Sequence, residues 1–348
     1  MSKTRLKRIV FSGIAVLLAL LFCDVLLSAI STVSPLLRYQ LSSPWSPPPP
    51  DPVLGHRNPP YYPGHDRLGY RNPLVPEKCD YLAVVDSLTY GFAAKPSDSW
   101  PRKLEAISGA VTYNAGVGGY GPCEYKAVID ELKFLDPNMV VLGLYLGNDI
   151  SDSFRSVHTA GRFPELKAPD RPMEGIIEAL RGANRPENNS RGVGALVRKH
   201  SSLYGVARRS LWLLQRREDD PFSGTADTDE DIAKRQQFLL FQQPARFKTW
   251  FPGPELQAKT TDFTDPNVQE GLRIAKDRLA CIATELAATN VEFLVVILPT
   301  KISVYADLVA RHDPDLAETV SGMLAQEKEV KGLLVEFLEE RGIDHIDT

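Results

Sequence analysis

The 348-residue sequence has few cysteines and no closely spaced pair of them. The four are at least 44 positions apart, at Cys23, Cys79, Cys123 and Cys281. Zinc ribbons and redox dithiols need a C-x-x-C pair, so the sequence argues against both. It also argues against a fold built on disulfides, although one or two bridges stay open.

The sequence also lacks an excess of charge of either sign. It has 40 lysines and arginines against 44 aspartates and glutamates, a net charge of -4. This balance gives no general basic surface, and we expect no nucleic-acid partner. Hydrophobic residues make up 43% and charged residues 24%, as in ordinary globular proteins. A wholly disordered chain is excluded, since this apolar content is sufficient to offset the ordering entropy.

One long hydrophobic run occurs at the N-terminus. Four basic residues within positions 1–8 precede the apolar stretch 9–30, whose one charge is Asp24. As a helix these 22 residues span about 33 Å, enough for a bilayer core of about 30 Å. The basic end is expected in the cytoplasm, which makes 9–30 a single-pass signal-anchor and places the rest in the periplasm or outside the cell. A cleaved signal peptide is the alternative, and the length of the run favours the anchor.

Residues 31–79 are predicted to be a proline-rich linker. Residues 42–76 hold eleven of the 27 prolines, including four in succession at 47–50. Such a segment favours extended polyproline II over helix or sheet. It is interpreted as a stiff spacer, with a disordered tether as the alternative.

Residues 80–348 show the alternation of an α/β domain. Short apolar runs predict five strands, and amphipathic periodicity predicts helices between them. The predicted strands are 81–85, 111–113, 139–146, 291–298 and 343–347, and the predicted helices include 100–107, 122–135 and 316–340, with one more carrying Leu272, Ala275, Leu279, Ile282 and Leu286. This order indicates a parallel sheet with helices on both faces.

The alternation lapses at about 150–265, where charge, proline and glycine are frequent. This segment is interpreted as an insertion over the ends of the strands. Within it, 193–217 has the pattern of a basic amphipathic helix. We expect that helix to pack on the main domain with a solvated face, and contact with anionic lipid is the alternative.

Polar and glycine-rich segments follow the first three predicted strands. They are Asp86–Gly91, Asn114–Gly121 and Gly147–Asp149. Ligands of parallel sheets bind outside the carboxyl ends of the strands, so these segments are expected to form a site. A serine at a strand-to-helix turn is well placed as a nucleophile. Backbone N–H groups of a glycine turn and an asparagine amide suit an oxyanion hole.

These segments resemble the first three motif blocks of the GDSL or SGNH hydrolases, and the flanking Gly69-Tyr70-Arg71 and Ser99-Trp100-Pro101 agree. The resemblance implies that Ser87 is the nucleophile and that the oxyanion hole consists of the N–H groups of Ser87 and Gly119 and the amide of Asn148. Asp86 and Asp149 are supporting residues. The implied fold is a flavodoxin-like three-layer α/β/α sandwich around a five-stranded parallel sheet. The likeness is close over 64–150 and covers 265–348 by element order.

The sequence departs from the family pattern at two places. The position before Asp86-Ser87 is Val85 where the family has glycine, which is expected to shift the serine loop. The last family block, D-x-x-H, supplies the general base, and none of the histidines at 56, 65, 158, 200, 312 and 345 has an aspartate three residues before it. We expect the gene to supply this block beyond Thr348, with His158 and His345 as less favoured substitutes. Without a base, turnover falls on the order of 10⁶-fold.

The sequence therefore predicts a membrane-anchored, extracytoplasmic serine hydrolase, an esterase or lipase-like acylhydrolase. Its expected substrate is a small acyl ester or an O-acetylated or otherwise acylated polysaccharide. Two alternatives stay open. One is an O-acyltransferase that modifies cell-envelope polysaccharide, and the other is a non-catalytic binding module of the same fold.

A dinucleotide site is disfavoured, although Gly116-x-Gly118-x-x-Gly121 fits the G-x-G-x-x-G fingerprint. That fingerprint needs an acidic residue about 20 positions on, at the end of the next strand. Asp136 precedes that strand, and Asp149 lies 33 positions after Gly116. No cofactor and no metal are expected.

Overall fold

The computed structural model describes residues 3–33, 50–62, 64–92, 94–168, 201, 203–204, 238–243 and 247–348. The strands in chain order are β1 (Pro50–Asp51), β2 (Gly55–His56), β3 (Tyr81–Val84), β4 (Thr112–Asn114), β5 (Met139–Tyr145), β6 (Phe238–Gln243), β7 (Phe247–Pro252), β8 (Glu292–Leu298) and β9 (Asp344–Asp347). The helices are α1 (Lys3–Val33), α2 (Ser87–Tyr90), α3 (Trp100–Ser108), α4 (Pro122–Leu132), α5 (Asp149–Phe154), α6 (Pro254–Thr261), α7 (Pro266–Ala288), α8 (Lys301–His312) and α9 (Pro314–Glu340). A π-helical turn, Arg155–Thr159, continues α5.

Five parallel strands form the central sheet in the order β4-β3-β5-β8-β9. The α/β class and the five-stranded parallel sheet predicted from the sequence are confirmed, and the arrangement is compatible with a three-layer sandwich. The chain adds β4 on one side of β3 and then adds β5, β8 and β9 on the other side, so the order of connection reverses at β3. This switch point is where doubly wound proteins bind their ligands.

The helix α7 covers one face of the sheet through an apolar stripe. The residues predicted to form this stripe are all buried, namely Leu272, Ala275, Leu279, Ile282 and Leu286. Val330, Leu334 and Leu338 of α9 belong to the same core cluster. Burial of each leucine contributes about 1.5–3 kcal/mol, so both helices stabilise the sheet by packing against it.

The predicted insertion contains a hairpin and a helix that the sequence pattern did not show. Strands β6 and β7 pair antiparallel, and Phe241 and Phe251 are completely buried. They pack against Ile302 and Val309 of α8 and form a second core cluster with residues of α9. The predicted basic helix 193–217 lies outside the described residues, except for positions 201, 203 and 204.

Helix α1 contains the whole apolar stretch 9–30. Several of its large apolar side chains are exposed, among them Phe11, Phe22 and Val25. Asp24 accepts hydrogen bonds from Ser201 Oγ and from the Leu203 backbone N–H. In the portion of the chain that the structure covers, no helix is identified as long and apolar enough to cross a membrane.

Residues 50–62 and 64–79, at the end of the segment predicted as a linker, pack against the α/β domain. Leu54, Tyr70 and Cys79 join the main core cluster, and the side chain of Asn72 is buried. The amide of Asn72 donates to the backbone oxygen of Asn114 at 2.9 Å. The ordered domain therefore includes residues that precede the first strand of its sheet.

Candidate active site

Ser87 is the first residue of α2 and lies three positions after the end of β3. The Asp86 side chain caps this helix, because its Oδ1 accepts the Leu88 N–H at 2.8 Å. Ser87 Oγ donates to Asp86 Oδ2 at 3.2 Å. Since α2 has only four residues, its helix dipole contributes little at Ser87.

Val85 is accommodated by a glycine in the neighbouring strand. Its side chain is completely buried, and a Cβ on Gly143 of β5 would lie 2.4 Å from Val85 Cγ2. Such a distance is far below the ordinary carbon–carbon contact of about 3.5–4.0 Å. The absence of a side chain at Gly143 therefore provides the space that Val85 occupies.

The two flanking segments noted in the sequence hold α2 in place. Arg71 Nη1 donates to the Tyr90 backbone oxygen at 2.8 Å. Trp100 Nε1 donates to Thr89 Oγ1 at 2.8 Å. The Asn114 amide adds a third contact through the Thr89 backbone oxygen, also at 2.8 Å. These side chains fix the turn that carries Ser87.

The glycine turn after β4 lies directly beside Ser87. A Cβ on Gly116 would be 2.3 Å from the Tyr90 backbone nitrogen, so only glycine allows this approach. A Cβ on Gly118 would be 3.6 Å from Ser87 Cβ. Gly119 has a φ of 81°, a left-handed conformation that favours glycine. The second motif block thus meets the first, as the resemblance implies.

Asn148 lies at the start of α5, and its amide contacts two carboxylates. Nδ2 donates to Asp86 Oδ2 and to Asp152 Oδ2, both at 3.1 Å. Its Oδ1 is buried and makes no hydrogen bond within the described structure. Ser87 Oγ and Asn148 Nδ2 therefore share one oxygen atom of Asp86. Because both amide hydrogens are engaged, Asn148 must release one of these bonds before it can donate to a substrate.

Asp149 connects the start of α5 to the end of β5 and to α4. It is completely buried and accepts from Tyr125 Oη at 2.9 Å and from the Tyr145 N–H at 2.8 Å. Burial raises the pKa of its carboxyl well above the ordinary value. It contacts neither Ser87 Oγ nor the Asn148 amide, so its role is to position β5 and α5.

The site contains three buried carboxyl groups, and burial raises the pKa of each. They belong to Asp86, Asp149 and Asp152. Burial is the largest effect on Asp86, and hydrogen bonds from Leu88 N–H, Asn148 and Ser87 oppose it. For Asp152, burial raises the pKa to about 7 against the attraction of Arg155. The site therefore contains an acidic group that titrates near neutral pH, in direct contact with Asn148.

Neither substitute base predicted from the sequence lies against Ser87. His158 is ten positions after Asn148 along α5 and its π-helical continuation, which corresponds to about 15 Å. Its Nε2 contacts Glu270 Oε1 at 2.9 Å. His345 is on β9, three strands from β3, a separation of about 14 Å at 4.8 Å per strand. Within the described structure, Ser87 Oγ bonds to Asp86 and to no histidine.

One contact at the site comes from a residue that the sequence analysis did not select. His56 on β2 places its Nε2 2.9 Å from the Gly118 backbone oxygen. His56 precedes Ser87 by 31 positions and lies among prolines, so no motif spacing identifies it.

No protein-family model matches the chain, and no curated protein matches it. The features of the chain that point to a function are the motif resemblance and the geometry around Ser87.

Proposed function

We propose that the chain is an ester hydrolase of the GDSL or SGNH type that forms an acyl-enzyme on Ser87. The contact of Ser87 Oγ and Asn148 Nδ2 with the same oxygen of Asp86 carries this proposal. It brings together the residues that the first and third motif blocks supply. Gly118, from the second block, lies against Ser87.

The reaction requires a base and a set of oxyanion donors. Ser87 Oγ attacks the ester carbonyl carbon and forms a new carbon–oxygen bond. The bond between that carbon and the alkoxide then breaks, and the alkoxide takes a proton and leaves as the alcohol. Water then attacks the carbonyl carbon of the acyl-enzyme, the bond to Ser87 Oγ breaks, and Ser87 regains its proton as the free acid is released. The N–H groups of Ser87 and Gly119, with the Asn148 amide, stabilise the charge that develops on the carbonyl oxygen.

The resemblance implies a histidine base, whereas the described residue that accepts the Ser87 hydrogen is Asp86. Burial raises the pKa of this carboxyl and so increases its basicity. Among the described residues, Asp86 Oδ2 is therefore the group placed to take the proton from Ser87, and it would return that proton to the leaving alkoxide. Asp86→Asn tests this assignment, because an amide cannot take the proton from Ser87. Labelling of Ser87 and turnover that stay at the wild-type level in Asp86→Asn would show that another group is the base.

Covalent labelling with a fluorophosphonate tests the nucleophile. We expect a single labelled serine, Ser87, identified by peptide mass spectrometry. Ser108→Ala is the matched control, because Ser108 bonds only within α3 and to the adjoining backbone and should label as the wild type does. Equal labelling of Ser87→Ala would place the nucleophile elsewhere.

We propose further that residues 9–30 anchor the chain in a membrane and that the domain faces the periplasm or cell exterior. The basic-then-apolar order supports this, as do the exposed apolar side chains of α1. An alkaline phosphatase fused after residue 45 should be active, because that enzyme needs an oxidising compartment. Activity of a cytoplasmic reporter alone at that position would contradict the orientation. An acyl ester or O-acetylated envelope polysaccharide would then be within reach.

A non-catalytic binding module is a second candidate, favoured by the engagement of both Asn148 amide hydrogens with carboxylates. Such a module would bind an acylated ligand without labelling at Ser87. An O-acyltransferase would be labelled at Ser87 and would transfer the acyl group to a sugar hydroxyl in preference to water. The ratio of acylated sugar to free acid therefore separates the transferase from the hydrolase.

A further inference from the structure

The short hairpin β1–β2 holds His56 against the glycine turn. His56 Nε2 lies 2.9 Å from Gly118 O, and a Cβ on Gly119 would be 3.7 Å from His56 Cε1. Tyr120 Oη donates to the His56 backbone oxygen, and the two rings meet edge to face at 5.2 Å. A carbonyl oxygen can only accept, so Nε2 carries the hydrogen of this bond.

The hairpin is itself fastened to the domain, which limits the movement of His56. Asp51 accepts from the Leu54 N–H at 2.7 Å and from Arg57 Nε at 2.5 Å. Arg57 also makes a two-point contact with Glu131 of α4 at 2.8 and 2.6 Å. Leu54 at the tip of the hairpin is buried in the main core.

The geometry of the peptide bond connects this contact to the oxyanion hole. In a trans peptide the carbonyl and the following N–H point in opposite directions. The Gly118 carbonyl and the Gly119 N–H belong to one such group, since no described peptide bond is cis. Glycine on both sides leaves this peptide free to rotate, because neither residue has a Cβ to restrict it.

We propose that His56 is a positioning residue that orients the Gly119 N–H towards the substrate carbonyl of Ser87. By holding the Gly118 oxygen on the hairpin side, it directs the N–H of the same peptide to the opposite side. This inference rests on the proposed function, in which Gly119 is an oxyanion donor. Arg155 Nη2 holds the next carbonyl, Gly119 O, at 3.3 Å, so consecutive peptides of the turn are both anchored.

Two substitutions in the full chain separate the hydrogen bond from the packing. His56→Gln places an amide nitrogen near the position of Nε2, whereas His56→Leu fills the space without a donor. We expect His56→Leu to slow the covalent step of fluorophosphonate labelling by about 10- to 100-fold, below the 10²–10³ of a deleted donor. Reversible binding of the probe should stay unchanged, and His56→Gln should label within about threefold of the wild type.

A purely structural role predicts a different result. In that case both variants would lower the unfolding midpoint together, and glutamine would not rescue the rate. Labelling of His56→Leu at the wild-type rate, or of His56→Gln as slowly as His56→Leu, would overturn the proposal.

Crystal structures of both variants test the proposal without depending on catalysis. The Gly118 carbonyl should keep its direction in His56→Gln and rotate in His56→Leu. An unrotated carbonyl in His56→Leu refutes the positioning role, even when Ser87 is reactive. An unreactive Ser87 in the wild type refutes the hydrolase instead and leaves the direction of the carbonyl as an independent test of His56.

Discussion

The pairing of Val85 with Gly143 predicts that these two positions are energetically coupled. Val85 directly precedes Asp86 and Ser87, and Gly143 lies opposite it on β5. A Cβ added at Gly143 would be 2.4 Å from Val85 Cγ2 and 3.0 Å from Leu298 Cδ1. Gly143→Ala therefore forces movement in a fully packed part of the core.

The expected magnitudes follow from this geometry. Overpacking of this kind costs about 1–3 kcal/mol, and the reduced entropy of the unfolded chain returns about 0.4–1 kcal/mol. Because an approach of 2.4 Å is severe, the overpacking cost should lie at the upper end of its range, and Gly143→Ala should destabilise the fold by about 2 kcal/mol. Val85→Ala removes two buried methyl groups and should cost about 2–3 kcal/mol, including the cavity.

The double variant should be more stable than the sum of the two single effects predicts. The new methyl at 143 occupies space that Val85 vacates, so we expect a favourable coupling of at least about 1 kcal/mol. Urea unfolding followed by tryptophan fluorescence gives the four free energies. Gly332→Ala is the matched control, since no atom lies within 4 Å of its added Cβ. In the middle of α9 it should stabilise by about 0.5–1 kcal/mol.

Two results would refute this reasoning. One is a Gly143→Ala chain as stable as the wild type, and the other is strict additivity in the double variant. The coupling also bears on the site, because displacement of Val85 moves the serine loop. Fluorophosphonate labelling of Gly143→Ala should be slower than that of the wild type and should recover in the double variant.

Two further predictions concern the polar residues of the site. Asn148→Ala should lower kcat for p-nitrophenyl acetate by about 10²–10³ with little change in KM, because an oxyanion donor acts mainly in the transition state; an unchanged kcat removes Asn148 from the hole. Asp152 has its pKa raised by burial to about 7 from an ordinary 3.8, so the folded chain binds this proton more tightly than the unfolded chain does. Its contribution to stability therefore falls as the pH rises from about 4 to 7, and Asp152→Asn should flatten this fall in urea unfolding; an unaltered pH dependence would contradict the assignment.

The parts of the fold that the sequence predicts are those with a local signal. The largely apolar strands β3, β5 and β8, of four to seven residues, are visible as short hydrophobic runs, and the stripe of α7 is visible as helical periodicity. Ser87, the glycine turn and Asn148 are predicted because each directly follows a strand. Parallel strands then bring these segments to the same edge without further information.

The residues that the sequence does not reveal act across large separations in the chain. His56 and Gly118 are 62 positions apart, and Val85 and Gly143 are 58 apart. Neither pair has a fixed spacing, because the contact depends on how a hairpin docks or how two strands lie side by side. The buried hairpin at Phe241 and Phe251 is hidden for a similar reason, since its core is completed by α8 and α9.

The geometry of Asp86 indicates how the nucleophile and the oxyanion hole would be linked. Its Oδ2 accepts from Ser87 Oγ and from Asn148 Nδ2 at nearly equal distances. An ionised carboxylate oxygen accommodates both donors, but an oxygen that has taken a proton loses acceptor capacity. Transfer of the Ser87 proton to Asp86 would therefore weaken the bond from Asn148. In the proposed reaction, the amide hydrogen released in this way would become available as negative charge develops on the substrate oxygen. The contact that engages the Asn148 amide in the free protein would thus be weakened by the proposed acylation itself.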